Sequence, residues 1–501
     1  MSDNLYSHIE RAMPDERSSP VLTTDAGRIC TWRELDEQSA RLARLLLGLG
    51  LERGARVAVQ VEKSPESLFL YLACLRAGLA YLPLNTAYQQ AELEYFLGDA
   101  QPGVVVCRPG AGSQIAALAG SSTQVFTLDA QGRGTLTDAA AAQEPHAPVA
   151  PVRSDDLAAI IYTSGTTGRS KGAMVTHGNL ASNGRVLVNY WGFGRNDVLL
   201  HALPMFHVHG LFVANHCALL SGASMRWHAR FDAQLVLRDL PDATVLMGVP
   251  TFYTRLLDEP ELTRDRCARV RLFISGSAPL QLDTFQRFEQ RIGQRILERY
   301  GMSEAGMITS NPLRGERRAG SVGLPLPGNE VRIATERDVP LARGEVGGIQ
   351  IRGPNVFKGY WRMPEKTREE FTADGWFRTG DVGAFDTEGY LSIVGRAKDL
   401  IITGGYNVYP KEIELVLDAL PGVQESAVFG VPHPDFGEAV TAVVVPLPGA
   451  TLSESALVQH LKTQIANYKV PKRVLVVPEL PRNAMGKVQK NVLRTTYAAS
   501  A

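Results

Sequence analysis

LAAIIYTSGTTGRSKG (157–172) is an apolar run that enters a loop of glycines and hydroxyl side chains, followed by Arg169 and Lys171. The apolar run is typical of a buried strand, and glycines let the backbone approach a ligand closely. Backbone N–H groups and hydroxyls in such a loop can hold phosphate oxygens. The stretch departs from the Walker pattern, because Ser170 stands five positions after Gly165 where that pattern has a glycine. It therefore predicts a phosphate-binding loop of another kind, at the end of a strand in an α/β sheet.

Strand and helix patterns alternate on both sides of this loop. Upstream, a helical pattern over 31–50 precedes strand patterns at 56–62 and 103–107. Downstream, three apolar runs end in small or turn residues, at 198–204, 243–250 and 270–279. The alternation predicts mostly parallel α/β sheets with ligands at the carboxyl ends of the strands. The Ala-, Gly-, Ser- and Pro-rich stretch at 109–152 is expected to be loop-rich.

The last third of the chain changes character twice. From about residue 320, short glycine-rich strands predict a β-rich subdomain, and after 395–399 a new α/β pattern begins with its own hydrophobic periodicity. We therefore expect an α/β fold whose large N-terminal domain, residues 1–397, holds two α/β subdomains and the β-rich one. Residues 398–501 are expected to form a small, mobile C-terminal α+β domain.

Composition excludes several classes of protein. Basic and acidic side chains are equal in number, 52 of each, whereas a nucleic-acid-binding protein usually has a basic excess. The five cysteines are widely spaced and form no CxxC pair, so neither a zinc site nor a disulfide framework is expected. The sequence has no apolar run of about 20 residues and no signal-peptide pattern. We expect a cytoplasmic protein with no membrane partner.

Four further motifs follow the phosphate loop: ERYGMSEAG (298–306), GWFRTGDVG (375–383), GRAKDLIITGGYNVYPKEIE (395–414) and PRNAMGKVQK (481–490). Together with TSGTTGRSKG they resemble the adenylate-forming superfamily, which includes acyl-CoA synthetases, peptide-synthetase adenylation domains and luciferases. The resemblance keeps the order of the motifs and covers about residues 20–495. It implies an enzyme that uses ATP and Mg²⁺ to activate a carboxylic acid as its adenylate, and then transfers the acyl group to coenzyme A.

The resemblance also implies roles for single residues. Lys487 corresponds to the catalytic lysine, whose ammonium would stabilise charge developing around the carboxylate and the α-phosphate. Glu304 corresponds to the Mg²⁺ ligand, Arg396 to a catalytic arginine that contacts ribose or phosphate, and Lys398 to the hinge. Ser303 stands where the superfamily usually has Thr, and it keeps the hydroxyl. The expected ATP contacts are Thr163, Ser164, Gly165, Thr166, Thr167, Gly168, Lys171, Glu298, Arg299, Tyr300, Ser303, Asp381 and Arg396. The expected coenzyme A loop is Gly404, Gly405 and Tyr406.

Within the superfamily, PMFHVHGLF (204–212), SGSAPL (275–280) and MITSNP (307–312) resemble malonyl-CoA synthetases. That resemblance implies malonate as the acid and methylmalonate as a second substrate. Malonate brings a second carboxylate, and a buried anion needs a paired, hydrogen-bonded cation, for which Arg230 is the expected residue. The expected substrate contacts are His207, Val208, Arg230, Ser277 and Met302.

Other readings of the same motifs stay open. A stand-alone adenylation domain is less expected because no carrier domain follows, and a short- or medium-chain acyl-CoA synthetase would need an apolar tunnel without an arginine. A non-catalytic relative is disfavoured by the intact phosphate loop together with Lys487, Glu304 and Asp381. The superfamily's lysine is reversibly acetylated in many members, so a lysine acetyltransferase and deacetylase acting on Lys487 are expected partners.

Overall fold

The computed structural model describes residues 3–163, 170–403, 406–433, 437–483 and 486–498. The elements up to the phosphate-loop hairpin are α1 (Leu5–Ala12), β1 (Pro20–Thr24), β2 (Ile29–Thr31), α2 (Trp32–Gly48), β3 (Arg56–Gln60), α3 (Pro65–Ala77), β4 (Ala80–Pro83), α4 (Gln90–Ala100), β5 (Val104–Cys107), α5 (Gly112–Ala119), β6 (Gln124–Thr127), α6 (Thr135–Ala141), β7 (Leu157–Thr163) and β8 (Lys171–Thr176). The next elements are α7 (His177–Tyr190), β9 (Val198–His201), a π-helix (His209–Ala214), α8 (Asn215–Ser221), β10 (Ser224–Trp227), α9 (Ala233–Asp239), β11 (Val245–Gly248), α10 (Pro250–Leu257), β12 (Leu272–Ser275), α11 (Leu282–Ile292), β13 (Leu297–Met302), β14 (Gly306–Ser310) and β15 (Leu324–Pro325).

The remaining elements belong to two smaller units. The first contains β16 (Glu330–Ala334), β17 (Gly347–Arg352), α12 (Pro364–Glu370), β18 (Phe377–Phe385) and β19 (Leu391–Arg396). The second contains β20 (Ile401–Thr403), β21 (Tyr406–Val408), α13 (Pro410–Asp418), β22 (Val423–His433), β23 (Gly437–Pro446), α14 (Glu454–Gln464), β24 (Arg473–Val476) and α15 (Lys490–Ala498).

Two large, mostly parallel sheets form the body of the molecule. One has the order β6-β5-β3-β4-β7-β8, in which only the β7–β8 pair is antiparallel. The other has the order β15-β14-β13-β12-β11-β9-β10-β1-β2, with antiparallel pairs only at its two edges. Strand β4 pairs with β7, whose carboxyl end leads into the phosphate loop, and β12 pairs with β13 in the other sheet. The sequence predicts ligand binding at such carboxyl ends.

Helix α3 shows how the sequence builds this core. Ser64 and Ser67 form a capping box at its start, Pro65 occupies the first turn, and Gly78 ends it with φ 70°. Every residue of the helix is buried. Its apolar side chains belong to one hydrophobic cluster that also includes residues of both large sheets. A helix that is apolar on all sides is expected to lie inside the protein rather than on its surface.

The C-terminal segment has its own sheet and its own cores. Strands β21-β20-β23-β22 are joined in that order, and β24 pairs with β23. Apolar clusters cover both faces, one around Ile413 and Val440, the other around Phe429 and Leu493. Within the described residues none of these strands pairs with a sheet of the N-terminal domain. No helix among those residues is long and apolar enough to cross a membrane.

Candidate active site

The residues on either side of the phosphate loop each lie close to an acidic side chain. Strand β7 ends at Thr163, whose Oγ1 lies 3.4 Å from Glu304 Oε1. Strand β8 begins at Lys171, whose Nζ pairs with Glu370 at 3.2 Å and lies 4.2 Å from the centre of the Tyr360 ring. The expected contacts Ser164, Gly165, Thr166, Thr167 and Gly168 lie outside the described residues.

Glu304 is a buried carboxylate that faces this loop. It is 7% exposed, and the Tyr360 hydroxyl donates to its Oε1 at 3.2 Å. Burial raises its pKa, while the nearby Lys171 acts in the opposite direction. No cluster of three or more metal-ligating side chains exists among the described residues. A single buried carboxylate beside a phosphate loop fits Mg²⁺, which keeps water and phosphate oxygens as its other ligands.

Asp381 of β18 is held by side chains from two other strands, β19 and β13. It pairs with Arg396 across β18 and β19, and the Arg396 Nε lies 3.0 Å from its Oδ1. The Tyr300 hydroxyl donates to Oδ2 at 2.5 Å. Asp381 is 4% exposed, so this carboxylate is fixed in position. Each carboxylate oxygen has a second lone pair, which leaves room to accept hydrogen bonds from ribose hydroxyls.

Lys487 reaches this site from the C-terminal domain. Asn483 Oδ1 accepts from its backbone N–H at 3.0 Å, and Asn483 N–H donates to its carbonyl at 2.9 Å. A Cβ on the preceding Gly486 would lie 3.4 Å from Thr251 of α10, so the loop docks on the N-terminal domain. Desolvation and the charge of Arg396 lower the pKa of Lys487 to about 8. The residue keeps solvent contact, so water screens part of this effect.

The hinge and the coenzyme A loop are only partly described. Lys398 lies in the turn Ala397–Asp399 between β19 and β20, and Arg494 of α15 binds Asp399 at 3.1 Å. Gly404 and Gly405 lie outside the described residues, and so does the side chain of Tyr406. The domain boundary at 397/398, the hinge and this loop therefore stay predictions.

A second group of polar side chains, referred to below as a pocket, lies around two histidines. His207 Nδ1 accepts from the His209 backbone N–H at 3.2 Å, so the ring proton of His207 is on Nε2 and can be donated. Ser277 Oγ lies 3.2 Å from His209 Nδ1 and has a left-handed φ of 71°. Such strain in a non-glycine residue is typical of a functional loop. Burial, Lys487 and Arg299 lower the pKa of His207 to about 3, so it stays neutral.

Arg299 is the one cation buried in this pocket among the described residues. It is 3% exposed, and its Nε and Nη2 have no hydrogen-bond partner there. Its guanidinium lies against Gly276, where an added Cβ would be 2.3 Å from Cζ. Burial lowers the pKa of Arg299 to about 9, and its charge acts on His207 and His209. A buried guanidinium with free donors is a site for an anion.

The structure places three of the predicted site residues as follows. Residues 298–300 alternate along a strand, so Tyr300 faces Asp381 while Arg299 faces the pocket of histidines. The carboxylate of Glu298 accepts from Leu280 N–H at 3.1 Å and holds the SGSAPL loop. Arg230 follows β10 on an exposed loop, without an ion pair or hydrogen bond to the part of the chain described here. It therefore lacks the burial that an anion partner needs.

Val208 and Met302 lie beside this pocket. Val208 is 3% exposed and borders a small cavity that also touches Phe212, His216 and Glu304. Met302 is half-buried at the end of β13, directly before Ser303. The sequence analysis predicted neither a role for His209 nor the orientation of Arg299. The available signal for Arg299 was a charged residue inside the strand-like stretch 297–302.

The chain matches known proteins over most of its length. The family model described as "AMP-binding enzyme" matches residues 9–361, and that described as "AMP-binding enzyme C-terminal domain" matches residues 412–487. A feruloyl-CoA synthase of Amycolatopsis sp is 37% identical over 487 residues, 96% of this chain and 97% of that protein. The mitochondrial malonate–CoA ligase of Mus musculus is 39% identical over 509 residues, 92% of this chain and 86% of that protein.

Solved structures match over nearly the whole length. ATP-bound MatB from Rhodopseudomonas palustris is 54% identical and superposes with a TM-score of 0.97 over 99% of each chain. The apo structure of the same protein superposes with a TM-score of 0.87 at the same coverage. These matches confirm the expected α/β fold with a large N-terminal and a small C-terminal domain.

Proposed function

Since this chain belongs to the AMP-binding enzyme family and is an AMP-forming acyl-CoA synthetase using ATP, Mg²⁺ and coenzyme A, we propose that the acid it activates is malonate. The observation that carries the proposal is the buried, unpaired guanidinium of Arg299. A monocarboxylic acid would leave that cation without a partner, whereas the distal carboxylate of malonate can pair with it.

The pocket offers a complete set of donors for a small dicarboxylate. Arg299 presents free Nε and Nη2 donors, which suit a bidentate carboxylate. His207 presents Nε2–H, and Ser277 presents its hydroxyl. Because burial keeps both histidines neutral, Arg299 is the group whose positive charge can match a carboxylate. Val208 is buried beside this pocket and would border the central carbon, where methylmalonate adds only one methyl group, so methylmalonate is the expected second substrate.

In the first half-reaction, a carboxylate oxygen of malonate attacks the α-phosphorus of ATP, and pyrophosphate leaves as the bond to its bridging oxygen breaks. Lys487 approaches this reaction from the C-terminal domain, and Arg396 contributes further positive charge. A fixed ammonium near the developing negative charge stabilises the transition state. Asp381 positions the ribose, and Tyr300 and Arg396 hold Asp381 in place.

Mg²⁺ fits at Glu304, next to the phosphate loop. The buried carboxylate faces Thr163 and lies near Lys171, so it is directed at the phosphate side of the site. When bound, the ion would neutralise charge on the phosphate oxygens. The Tyr360 hydroxyl donates a hydrogen bond to this carboxylate and so fixes its position and orientation.

In the second half-reaction, the coenzyme A sulfur attacks the malonyl carbonyl carbon, the bond to AMP breaks, and the thiol proton is lost. We propose that the C-terminal domain turns about Lys398 between the two half-reactions, so that the loop of Gly404, Gly405 and Tyr406 replaces Lys487 at the site. Binding energy can drive such domain closure.

A panel of acids tests the substrate. Pyrophosphate release with ATP and coenzyme A is measured for malonate, methylmalonate, acetate, butyrate, octanoate, ferulate and sulfoacetate. We expect kcat/KM for malonate to exceed that for acetate at least about a hundredfold, because acetate leaves Arg299 unpaired. A preference for octanoate or ferulate would reject malonate. A preference for sulfoacetate would keep the anion site and change its ligand.

A further inference from the structure

Lys63 is a buried lysine in the connection between β3 and α3. It is 7% exposed, and its Nζ lies 2.9 Å from His201 Nδ1, 2.8 Å from the His201 carbonyl and 3.0 Å from the Leu203 carbonyl. Nζ also lies 4.2 Å from the centre of the Trp227 ring, which adds a cation–π contact. All three hydrogen-bond acceptors thus belong to one short segment at the end of β9.

The acceptors around Lys63 indicate its charge and the tautomer of His201. An ammonium has three N–H donors, which match the three acceptors, whereas a neutral amine has only two. Burial lowers the pKa of Lys63 and Asp25 raises it, and hydrogen bonds to the charged form favour that form. Because an ammonium can only donate, His201 Nδ1 accepts, and we assign the ring proton of His201 to Nε2.

The His201 ring connects this contact to the other end of the same segment. Its Nε2 lies 3.0 Å from the Gly210 carbonyl, and a carbonyl can only accept, so Nε2–H donates to it. Burial and the charge of Lys63 hold the pKa of His201 well below its ordinary value, so the ring stays neutral. A Cβ on Gly210 would lie 2.1 Å from the Pro204 carbonyl oxygen, so the two ends of the segment are in close contact. We call Lys63, the His201 ring and the Gly210 carbonyl the loop tether.

The loop tether closes the loop 201–210, which carries both histidines of the acyl pocket. The His209 backbone N–H donates to His207 Nδ1 at 3.2 Å, and His209 Nδ1 lies 3.2 Å from Ser277 Oγ. The two histidines are therefore linked to each other and to the loop of Ser277. The conformation of the loop 201–210 thus sets the direction in which His207 presents its Nε2–H.

Stability alone gives little reason for an ammonium at position 63. Taking a charge out of water is costly, and an apolar side chain at a buried charged site often leaves the fold as stable or more stable. An apolar side chain could not, however, hold the carbonyls of His201 and Leu203 and the His201 ring in one arrangement. The hydrogen bonds of Lys63 therefore favour a role in fixing the conformation of this loop.

We propose that Lys63 is a positioning residue for the acyl site. Through the loop tether it fixes the loop 201–210, so that His207 presents Nε2–H to a carboxylate of the acid. The proposal rests on the substrate role of His207 proposed above. It adds to that role a lysine that acts from outside the pocket, since the protein itself uses all three of its donors.

A double-mutant cycle in the full-length enzyme tests the loop tether. Pyrophosphate release is measured with the acid that the enzyme prefers, for the native enzyme, Lys63→Met, His207→Ala and the double variant. Misplacing a binding group can cost up to about a hundredfold in rate, so Lys63→Met should lower kcat/KM roughly ten- to a hundredfold. In the His207→Ala background the same change should lower it less than about threefold, because the group that Lys63 positions is gone.

Two controls separate this role from a general effect on the protein. Lys358→Met is the matched control, because Lys358 also donates to a backbone carbonyl, that of Asp155 at 3.1 Å, but at the exposed surface. It should keep the native kcat/KM. The affinity of Lys63→Met for ATP, measured by calorimetry, should equal that of the native enzyme. If Lys63→Met does not fold, His201→Leu replaces it in the cycle, since leucine is apolar and breaks the loop tether at its middle.

The cycle distinguishes a failed tether from a failed substrate role. Losses from Lys63→Met that agree within about twofold in the two backgrounds would overturn the tether, because independent sites add. A native kcat/KM in Lys63→Met, an equally large loss of ATP affinity, or failure of both Lys63→Met and His201→Leu to fold would also overturn it. None of these results would affect the substrate role of His207 or the choice of acid. A native kcat/KM in His207→Ala would instead reject that substrate role, and the tether with it.

Discussion

Replacing Arg299 with methionine removes the proposed partner of the distal carboxylate. Removing one member of a buried ion pair costs about 3–5 kcal/mol, and about 1.4 kcal/mol corresponds to a tenfold rate change. Arg299→Met should therefore lower kcat/KM for malonate by roughly two to three powers of ten. Acetate has no distal carboxylate, so its low activity should change much less.

The same variant separates substrate binding from folding. In the free enzyme Arg299 is a buried cation without an ion pair in the described chain, and an apolar residue of similar length relieves that desolvation. The melting temperature of Arg299→Met should therefore equal or exceed that of the native enzyme.

Pyrophosphate release with malonate and with acetate is the assay, and Arg230→Met is the matched control. The exposed Arg230 should tolerate the change with little effect on either acid. Equal losses on both acids in Arg299→Met would show that the guanidinium serves ATP or the fold. A larger loss on malonate in Arg230→Met would restore the original sequence prediction.

Three further results are expected. Gly276→Ala keeps the charge of Arg299 but places a Cβ 2.3 Å from its Cζ. The kcat/KM for malonate should therefore fall, while ATP binding, measured by calorimetry, stays unchanged. A native kcat/KM would disprove the close packing of Gly276 and Arg299. Lys487→Ala should slow adenylate formation at least about a hundredfold, yet largely spare coenzyme A transfer from pre-made malonyl-adenylate; equal losses in both steps would contradict the division of labour. Acetylation of Lys487 removes its charge and should act like the alanine variant. The check is an adenylation assay on protein whose acetylation at Lys487 has been verified by mass spectrometry. Full activity of that protein would exclude control at this residue.

Much of the fold could be predicted because the hydrophobic pattern is strong where strands are buried. The run 157–163 forms β7, and the later runs ending near 204, 250 and 279 contain the shorter parallel strands β9, β11 and β12. The stretch 109–152 was the exception, since it contains α5, β6 and α6 besides loops. Small residues such as alanine are compatible with helices, and tertiary packing of Ile115 and Leu136 decides the outcome.

The acyl pocket was harder to predict because its chemistry depends on which way a side chain points. Motif resemblance grouped Glu298, Arg299 and Tyr300 as ATP contacts. Strand alternation instead sends Tyr300 to Asp381 and Arg299 to the histidines. The sequence also predicted Arg230 as the anion partner, because a sequence does not show whether a loop arginine next to apolar residues is buried or exposed. The grouping of Asp381, Glu304 and Lys487 was easier to anticipate, since each lies in a motif of fixed order.

A crystal structure of the enzyme with malonyl-adenylate or a non-hydrolysable analogue tests the central claim most directly. We expect the distal carboxylate to accept from Arg299 Nε and Nη2 at about 2.7–2.9 Å, the range of charge-assisted hydrogen bonds. Val208 and His207 should then border the central carbon and the carbonyl. A distal carboxylate that points to solvent or to Arg230, with Arg299 still unpaired, would contradict the account.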